Sequence, residues 1–257
     1  MLLTIDIGNS NVVIGCLNQE NETVCLLRMV TDLKKTEDEY AAGMQTILAH
    51  NGIDCRGFEG AIICSVVPPL TEIFRTAVQK LTGHKALVVG AGIKTGLNIL
   101  IEDPASLGSD LVAAAVAAIA KFPLPVIVID MGTATTMTVI DEGNRFLGGA
   151  IVPGVALSMS ALSGGTSLLH KVPIEAPKKC ISDTTTTCMQ SGAVYGNAAL
   201  LDGMIDRFEA ELGKKMTVVA TGGIAARIIP HCKHEIIYDE DLLLKGLAIL
   251  YRKNVKR

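Results

Sequence analysis

The sequence predicts an α/β protein of two similar lobes with a cleft between them, and three observations lead to this prediction. Strand-like and helix-like segments alternate along most of the chain. The 257 residues are enough for one large domain or two compact ones. The segment TIDIGNSNVVIGCL at residues 4–17 has a counterpart, VIDMGTATTMTVID, at residues 128–141. Because each copy opens a series of three strands and a helix, we expect a duplicated unit with lobes at residues 1–115 and 116–257.

The first half of the chain begins with three predicted strands, at residues 2–7, 11–18 and 23–30, which the turn sequences GNS and NQENE separate. A helix follows, because Thr36 and Glu39 have the spacing of a capping box and apolar residues recur on one face. The next predicted elements are a buried strand at 60–67, a helix that starts with two prolines at 68–83, a strand at 85–90 and a largely buried helix at 109–122.

The strand-rich pattern restarts in the second half. Three strand runs, LPVIVIDMG, TATTMTVIDEG and NRFLGGAIV, are joined by glycine turns. Helical stretches follow at roughly residues 154–163 and 188–212. The last two strands, KMTVVAT and HEIIYD, alternate with the segment GGIAARII and with a C-terminal helix, DLLLKGLAILYRK. Both halves therefore open with three strands.

Composition and charge exclude several classes of protein. A net charge of −3 without a basic block argues against a nucleic-acid platform. No cationic stretch precedes the N-terminal apolar run, so we expect no signal peptide, and the longest apolar run, residues 111–120, is too short to span a bilayer. Seven cysteines, an odd number scattered through apolar segments, favour a reducing compartment over a disulfide framework. The sequence predicts a soluble cytoplasmic protein without nucleic-acid or membrane partners.

Short polar residues stand at the tip of the first repeated hairpin. Asp6 ends the first strand, Gly8 lets a ligand approach the backbone closely, and residues 9–11 add short polar side chains. Successive N–H groups of such a turn can form a concave anion-binding site, and Mg²⁺ commonly bridges a carboxylate to a phosphate. An ordinary hairpin turn is the alternative, but two plain hairpins need no matched acids, and Asp130 repeats Asp6. The pair favours a polyphosphate site at the hairpin tips.

A further glycine-rich turn lies between a predicted strand and a helix. Gly222 and Gly223 leave space for a ribose or a flat ring, and a helix N-terminus favours anions. A simple strand-to-helix turn, which is the alternative, needs at most one glycine, so the pair favours a nucleotide. The segment HCKH, residues 231–234, instead predicts a surface turn, because no second pair of metal ligands accompanies it.

A candidate general base precedes the buried helix predicted at 109–122. The residues Gly108, Ser109 and Asp110 come immediately before its apolar run. One of the two polar residues could simply be the helix N-cap, which is the alternative reading. Because this helix is expected to open the second lobe, its N-terminus should lie near the cleft, and a carboxylate there could instead accept a proton from a substrate hydroxyl that attacks the γ-phosphate.

Taken together, these residues resemble one known family, the type III pantothenate kinases of the actin-like, sugar-kinase-like ATPase superfamily. The resemblance runs essentially from end to end and implies two duplicated actin-like, or ribonuclease H-like, lobes. The motifs that carry it are, in chain order, DIGNSN at 6–11, SVVPPLT at 65–71, DPASLGSD at 103–110, DMGTATT at 130–136, GGAIVPG at 148–154, MQSG at 189–192 and ATGGIA at 220–225.

The resemblance implies ATP-dependent phosphorylation of pantothenate on its terminal hydroxyl, the first step towards coenzyme A. It further implies Mg²⁺, a monovalent cation (K⁺ or NH₄⁺) and a homodimer. Asp110 would be the general base, Asp130 would hold the monovalent cation, and Asp6 would bind Mg²⁺ through phosphate. The implied ATP-binding residues are Asp6, Ile7, Gly8, Asn9, Ser10, Asn11, Val12, Val13, Thr133, Gly222 and Gly223. The implied substrate-binding residues are Gly108, Ser109, Asp110, Leu111 and, from a partner subunit, Thr185.

Two of these assignments have alternatives. The run of threonines at 184–187 could merely cap the helix that follows it. The family writes Gly-Ala-Asp-Arg where this chain has Gly-Ser-Asp-Leu at residues 108–111, and Ile101 stands where the family usually has tyrosine. The absent arginine would bind the pantothenate carboxylate, which Leu111 cannot do. Three functions stay open: a weakly binding pantothenate kinase, a kinase for another small hydroxylated substrate, and a non-catalytic nucleotide-binding regulatory protein.

Overall fold

The computed structural model describes residues 1–255, which form two compact units. The first unit comprises residues 1–98, residues 102–121 and the chain from Asp241 onward, and the second comprises residues 99–101 and 122–240. This division differs from the expected boundary after residue 115, because one helix of the first unit ends only at Lys121 and the C-terminal helix returns to that unit. Among the described residues, no helix has both the length and the apolar character needed to cross a membrane.

The first unit is built on one mixed sheet. Its elements are, in chain order, β1 (Leu2–Ile7), β2 (Asn11–Leu17), β3 (Thr23–Val30), α1 (Glu37–His50), β4 (Gly60–Ser65), α2 (Pro68–Thr82), β5 (Leu87–Val88), α3 (Ser109–Lys121) and α8 (Leu242–Asn254). The strand order is β3-β2-β1-β4-β5. The three strands β1, β2 and β3 are antiparallel neighbours, whereas β4 pairs in parallel with β1 and with β5.

The second unit is built on a similar sheet. The remaining elements are β6 (Asn98–Ile99), β7 (Val126–Met131), β8 (Ala134–Ile140), β9 (Arg145–Pro153), α4 (Val155–Gly164), α5 (Thr185–Ser191), α6 (Asn197–Leu212), β10 (Thr217–Thr221), α7 (Ala225–Ile228) and β11 (Ile237–Tyr238). The strand order is β11-β10-β7-β8-β9-β6. Again the first three long strands are antiparallel neighbours, and β10 pairs in parallel with β7 and with β11.

The two sheets repeat one topology down to the register of single residues. Asp6 and Asp130 are each the fifth residue of a six-residue first strand. Their antiparallel partners, Val13 on β2 and Thr136 on β8, stand at equivalent positions. A ladder irregularity also follows near the far end of both β2 and β8. The predicted duplication is confirmed.

The first sheet is covered on both faces, and this places Asp6. The odd-numbered residues of β1 pack against α1 and α2, around the contacting rings of Tyr40 and Phe74. Leu2 packs with Cys64 against α3 and α8 on the other face. Because side chains alternate along a strand, Asp6 lies on the face of Leu2, which α3 and α8 cover.

The second unit has its own apolar core. Ile127, Ile129 and Met131 of β7 pack with apolar residues of α6 and α7. Because side chains alternate along β7, Asp130 lies on the opposite face of the sheet from this core. Each repeated acid therefore interrupts a buried strand on the face away from its largest apolar cluster.

Some predicted elements are shorter or more divided than expected. The helix expected at 188–212 is split into α5, a π-helical segment at Gly192–Gly196, and α6. A glycine stands at each end of this segment, and glycine weakens the regular helix locally. The strands expected at 85–90 and 234–239 keep only two paired residues each, in β5 and β11. The capping box of Thr36 and Glu39 at the start of α1 is confirmed.

Helix α3 is held against α8 by close backbone contact. Seven consecutive residues of α3, from Val112 to Ala118, are buried, and five of them are alanine. These small side chains let α8 approach so closely that a Cβ atom at Gly246 would overlap the Ala113 carbonyl group. The close contact at Gly246 therefore determines how closely α3 packs on the sheet. It also determines the position of the first turn of α3.

We expect Gly246→Ala to lower the free energy of unfolding by about 1–3 kcal/mol, because the added methyl group must separate α8 from the α3 backbone. Gly203→Ala in α6 is the matched control, since its Cβ would meet only the flexible Arg207 side chain. That control should gain up to about 1 kcal/mol from helix propensity. Urea unfolding of both variants measures the difference, and equal stability of the two would contradict the close-contact role of Gly246.

Candidate functional site

The first-unit site begins with Asp6 on β1. In the sheet register Asp6 stands beside Cys64 on β4, and the two side chains are hydrogen-bonded. Burial, with the Asp6 carboxylate as the next contribution, holds the pKa of the Cys64 thiol well above its usual value. Cys64 is fully buried, so it acts as an inert neighbour of the acid and not as a nucleophile.

The first turn of α3 reaches the same thiol. Ser109 Oγ lies 3.1 Å from Cys64 Sγ, donates to the Ser65 carbonyl at 3.2 Å and accepts from the Ser65 amide at 3.3 Å. Ser109 is the first residue of α3. Its contacts therefore tie the start of this helix to the end of β4. Neither the sequence spacing nor a capping pattern signals this contact, which depends on tertiary structure.

Asp110 is half-buried at the start of α3. Its Oδ1 accepts a hydrogen bond from the Leu111 amide at 2.8 Å. Burial raises the pKa of the Asp110 carboxyl above its ordinary value, and the backbone hydrogen bonds oppose this only in part. A Cβ atom at Gly108 would overlap Asp110 Oδ1, so glycine leaves the space that this carboxylate occupies.

Asp6 and Asp110 lie near each other through Cys64. Asp6 is the register partner of Cys64, and Asp110 follows Ser109, whose Oγ lies 3.1 Å from Cys64 Sγ. The structure thus brings together in the first unit two acids that stand about a hundred positions apart in the sequence. One lies beside a hairpin tip and the other at a helix start, and phosphoryl transfer can use one acid near the metal-bound phosphates and another as a base.

The tip of the first hairpin offers backbone and short polar groups. The Gly8 amide donates to the Asn11 carbonyl at 3.0 Å, and Asn9, Ser10 and Asn11 are exposed. The side chains of Ile7 and Val12 are fully buried in the core, and Val13 is half-buried. Within the predicted ATP-binding stretch 6–13, Ile7 and Val12 can therefore contact a ligand only through their backbone groups.

In the second unit, Asp130 lies in a row of oxygen-bearing side chains. Its register partners are Thr136 on β8 and Thr221 on β10. Thr136 Oγ1 is buried and has no hydrogen-bond partner among residues 1–255. In the first unit the corresponding neighbours of Asp6 are Val13 and Cys64. The two repeated acids therefore have different chemical surroundings.

The other predicted ATP-binding residues of the second unit lie in its turns. Thr133 is exposed at the tip of the second hairpin, where the Gly132 amide donates to the Ala134 carbonyl at 3.0 Å. Gly222 follows β10 with a φ of 95°, and a Cβ atom there would meet the Met131 backbone. Gly223 has open space around its Cα.

Thr185 stands elsewhere in the second unit, as the first residue of α5. The capping box of this helix is formed by Thr184 and Thr187, which confirms the capping alternative for those two residues. Thr185 lines a cavity of about 640 Å³ together with residues of α4, among them Ser158 and Met159. The predicted substrate contact is therefore next to a substantial cavity and is not needed for the cap.

The HCKH segment, predicted to be a surface turn, also takes part in a side-chain hydrogen bond with α6. His234 Nε2 lies 2.9 Å from Asp206 Oδ1, and Glu209 stands close enough to form a group of three possible metal ligands. Glu209 already binds Lys215 Nζ at 2.6 Å and the Met216 amide at 3.0 Å. These contacts form an ion-pair network that holds the end of α6 to the following chain.

The two departures from the family pattern, Leu111 and Ile101, are both half-buried. Leu111 is half-buried in the first turn of α3, next to Asp110. Ile101 is half-buried in the second unit, where its side chain lies near the Gly148 backbone. Neither position carries a charge that could bind a carboxylate.

Comparisons with known proteins agree with the motifs. A sequence model described as type III pantothenate kinase matches residues 2–207. The type III pantothenate kinase of Moorella thermoacetica is 39% identical over 254 residues, covering 99% of this chain and 100% of that protein. The type III pantothenate kinase of Brevibacillus brevis is 41% identical over 254 residues, covering 99% of each chain.

A solved structure supports the fold. Component A of the (R)-2-hydroxyglutaryl-CoA dehydratase of Acidaminococcus fermentans superposes with a TM-score of 0.56 and 15% identity, covering 97% of this chain and 96% of that chain. This likeness shows the fold alone, which is the predicted actin-like, sugar-kinase-like ATPase fold. Since the family model spans most of the sequence and the curated relatives match nearly end to end, the chain belongs to the type III pantothenate kinase family.

Proposed function

We propose that this protein transfers the γ-phosphoryl group of ATP to the terminal hydroxyl of pantothenate, in the first step of coenzyme A biosynthesis. One observation of the structure supports this most directly: the half-buried Asp110 follows Ser109, which contacts Cys64, the strand neighbour of Asp6. Family membership supports the choice of substrate, since the curated relatives carry that name. A cytoplasmic location suits an enzyme that uses ATP.

The hairpin tip at residues 8–11 is the proposed site of the ATP phosphates, with Asp6 beside it. The donor set fits Mg²⁺–ATP, because backbone amides and short polar groups can bind phosphate and a buried carboxylate oxygen of Asp6 suits a hard cation. When bound, Mg²⁺ supplies positive charge that offsets the developing negative charge on the phosphates. In the second unit we assign ATP contacts to Thr133, Gly222 and Gly223.

Asp110 is the proposed general base. It accepts the proton of the substrate hydroxyl as that oxygen bonds to the γ-phosphorus and the bond to the β-phosphate oxygen breaks. A base must be ionised, and burial raises the pKa of Asp110 above its ordinary 3.8. Activity should therefore fall with decreasing pH at a higher pH than an exposed aspartate would give.

We expect Asp110→Asn to lower kcat by about 10²–10⁴-fold while the KM for ATP stays close to that of the wild type. The same change should raise the free energy of unfolding at pH 7, because burial opposes the charge that asparagine removes. Asp103→Asn is the matched control, since that exposed residue lies in the preceding turn. Wild-type turnover by Asp110→Asn would remove Asp110 from the role of base.

Leu111 bears on the substrate. The matched relatives favour a pantothenate kinase over a non-catalytic regulatory protein, and the absent arginine then affects substrate affinity more than chemistry. A kinase for another small hydroxylated molecule is the remaining alternative, because a leucine next to Asp110 cannot bind a carboxylate.

We expect Leu111→Arg to lower the KM for pantothenate by about tenfold, because it adds a charge-assisted contact to the substrate carboxylate. Steady-state phosphorylation of pantothenate with Mg²⁺ and K⁺ measures this, and Leu107→Arg in the turn before α3 serves as the control. If neither the wild type nor Leu111→Arg phosphorylates pantothenate, the kinase needs another substrate.

The row around Asp130 is the proposed site of a monovalent cation, K⁺ or NH₄⁺. Asp130, Thr136 and Thr221 offer the oxygen atoms that hard cations prefer, and the hydroxyl of Thr136 is buried without a hydrogen-bond partner among the described residues. The donor set fits such an ion. Its positive charge would lower the cost of keeping Asp130 ionised in a largely buried strand.

We expect Thr136→Val to raise the K⁺ concentration for half-maximal activity by about three- to tenfold, because one oxygen ligand is lost. Thr138→Val is the matched control, because Thr138 lies two residues further along β8 and therefore on the same face. Titration of activity with KCl at constant ionic strength measures both variants. The same K⁺ dependence in both would contradict the assignment.

A homodimer is the proposed assembly, and apolar side chains on the second unit support it. Leu157 and Leu162 of α4 are about half exposed, and Leu168 and Ile181 between α4 and α5 are almost fully exposed. Such a concentration of exposed apolar groups is costly in water unless a partner covers it. In this dimer Thr185, close by in the sequence, would contact the substrate of the partner subunit.

A further inference from the structure

Thr31, directly after β3, contacts the tip of the first hairpin. Its hydroxyl donates to the Gly8 carbonyl at 2.7 Å, and its amide donates to the Ser10 carbonyl at 3.1 Å. One residue thus holds two of the carbonyl groups in the turn proposed to bind phosphate. Carbonyl oxygens repel a phosphate, so their direction decides whether the turn can bind one.

These two hydrogen bonds also set the direction of two amide groups. In a trans peptide unit the N–H points opposite to the C=O. The Gly8 carbonyl shares its peptide unit with the Asn9 amide, and the Ser10 carbonyl shares its unit with the Asn11 amide. Because Thr31 binds both carbonyl groups, the N–H groups of Asn9 and Asn11 are directed away from Thr31 and are available to an anion.

Thr31 is itself tied to the core of the first unit. The hydroxyl of Tyr40 accepts from the Asp32 amide and donates to the Asp32 carbonyl, both at 2.9 Å. Tyr40 is fully buried, and its ring lies 4.3 Å from that of Phe74. A rigid apolar cluster therefore fixes the chain at Asp32. Through Thr31, the same cluster restrains the first hairpin tip.

The second hairpin lacks this arrangement, and its tip is one residue shorter, because Met131 pairs with Thr135 where Ile7 pairs with Val12. Asn11 pairs with Val30 in the first unit and Ala134 pairs with Pro153 in the second, so the counterpart of Thr31 is Gly154. The Gly154 amide donates to the Thr133 carbonyl at 3.0 Å, as the Thr31 amide does to Ser10. A Cβ atom at Gly154 would overlap the carbonyls of Gly132 and Thr133, so no side chain fits there.

We propose that Thr31 is a positioning residue for phosphate binding, whose hydroxyl orients the peptide units of the first hairpin tip towards the ATP phosphates. The proposal rests on the proposed function, because it takes residues 8–11 as the phosphate site. Because Gly154 has no side chain, only the first of the duplicated hairpins has a hydroxyl at this position to orient its tip. The proposal therefore adds Thr31, which lies outside the stretch 6–13, to the residues that determine ATP binding.

The test compares Thr31→Val, which removes only the hydroxyl from a side chain of the same shape, with Thr31→Ser, which keeps it. Calorimetry measures the dissociation constants of Mg²⁺–ATP and of adenosine, which has no phosphate. Thr31→Val should weaken ATP binding by about tenfold and leave adenosine binding unchanged, and Thr31→Ser should bind ATP nearly as the wild type does. The control is Thr46→Val, since the Thr46 hydroxyl donates to the Ala42 carbonyl within α1.

Each outcome decides the proposal. Unchanged ATP affinity in Thr31→Val, or an equal loss for ATP and adenosine, would overturn it, because a merely structural role predicts no preference for the phosphates. If Thr31→Val does not fold, Tyr40→Phe removes the anchor instead and should show the same selective loss of ATP affinity to a smaller degree. Its absence would overturn the proposal as well.

A separate variant tests the proposed site itself. Ser10→Glu adds a carboxylate to the exposed hairpin tip and should weaken binding of ATP but not of adenosine by charge repulsion. If Ser10→Glu binds ATP as the wild type does, the phosphate site lies elsewhere and the proposed function of the tip fails. If only Thr31→Val is without effect, the site stands and the role of Thr31 fails.

Discussion

The parallel pairing of β1 with β4 is the constraint on which the first-unit site depends. It places Asp6 beside Cys64 and Ile7 beside Ser65, and Ser109 then fastens the start of α3 to those same two residues of β4. A shift of β1 by one residue would turn Asp6 into the core formed with α1 and α2. Continuous apolar contacts along both faces of the sheet oppose such a shift, so the position of two carboxylates is a by-product of core formation.

The duplicated hairpins show how one ancestral geometry can acquire two chemistries. The acids keep the same place in the strand, while their neighbours differ: a valine and a thiol beside Asp6, and two hydroxyl groups beside Asp130. A hydroxyl neighbour offers a ligand to a cation, whereas a buried thiol with a raised pKa stays neutral and offers almost none. Single substitutions on the adjacent strands are therefore enough to give Asp130, but not Asp6, register partners with oxygen ligands for a cation, while the backbone stays the same.

Local rules predicted most of the strands and helices, because apolar period, proline, glycine and capping residues act over a few positions. The internal repeat predicted the matched acids, and the structure confirms their equivalent positions. Local rules did not predict the tertiary contacts. These are the hydrogen bonds from Ser109 to β4 and from Tyr40 to the Asp32 backbone, together with the division of the chain at residues 121 and 241. Strand alternation places the side chains of Ile7 and Val12 in the core, so their predicted part in ATP binding stays a prediction about their backbone groups alone.

The return of α8 to the first unit has a consequence for the order in which the protein can form. Apart from residues 99–101, the second unit is one continuous stretch of chain, complete before α8 leaves the ribosome. The first unit is interrupted, and the face of α3 that packs on α8 lacks this partner until Leu242–Asn254 have been synthesised, although the sheet can already cover part of the helix. Domains generally fold as units during translation, from the N-terminus onward. Here the unit that begins first is completed only when α8 arrives, and the alanine-rich α3 lacks its helix partner while the whole second unit is synthesised.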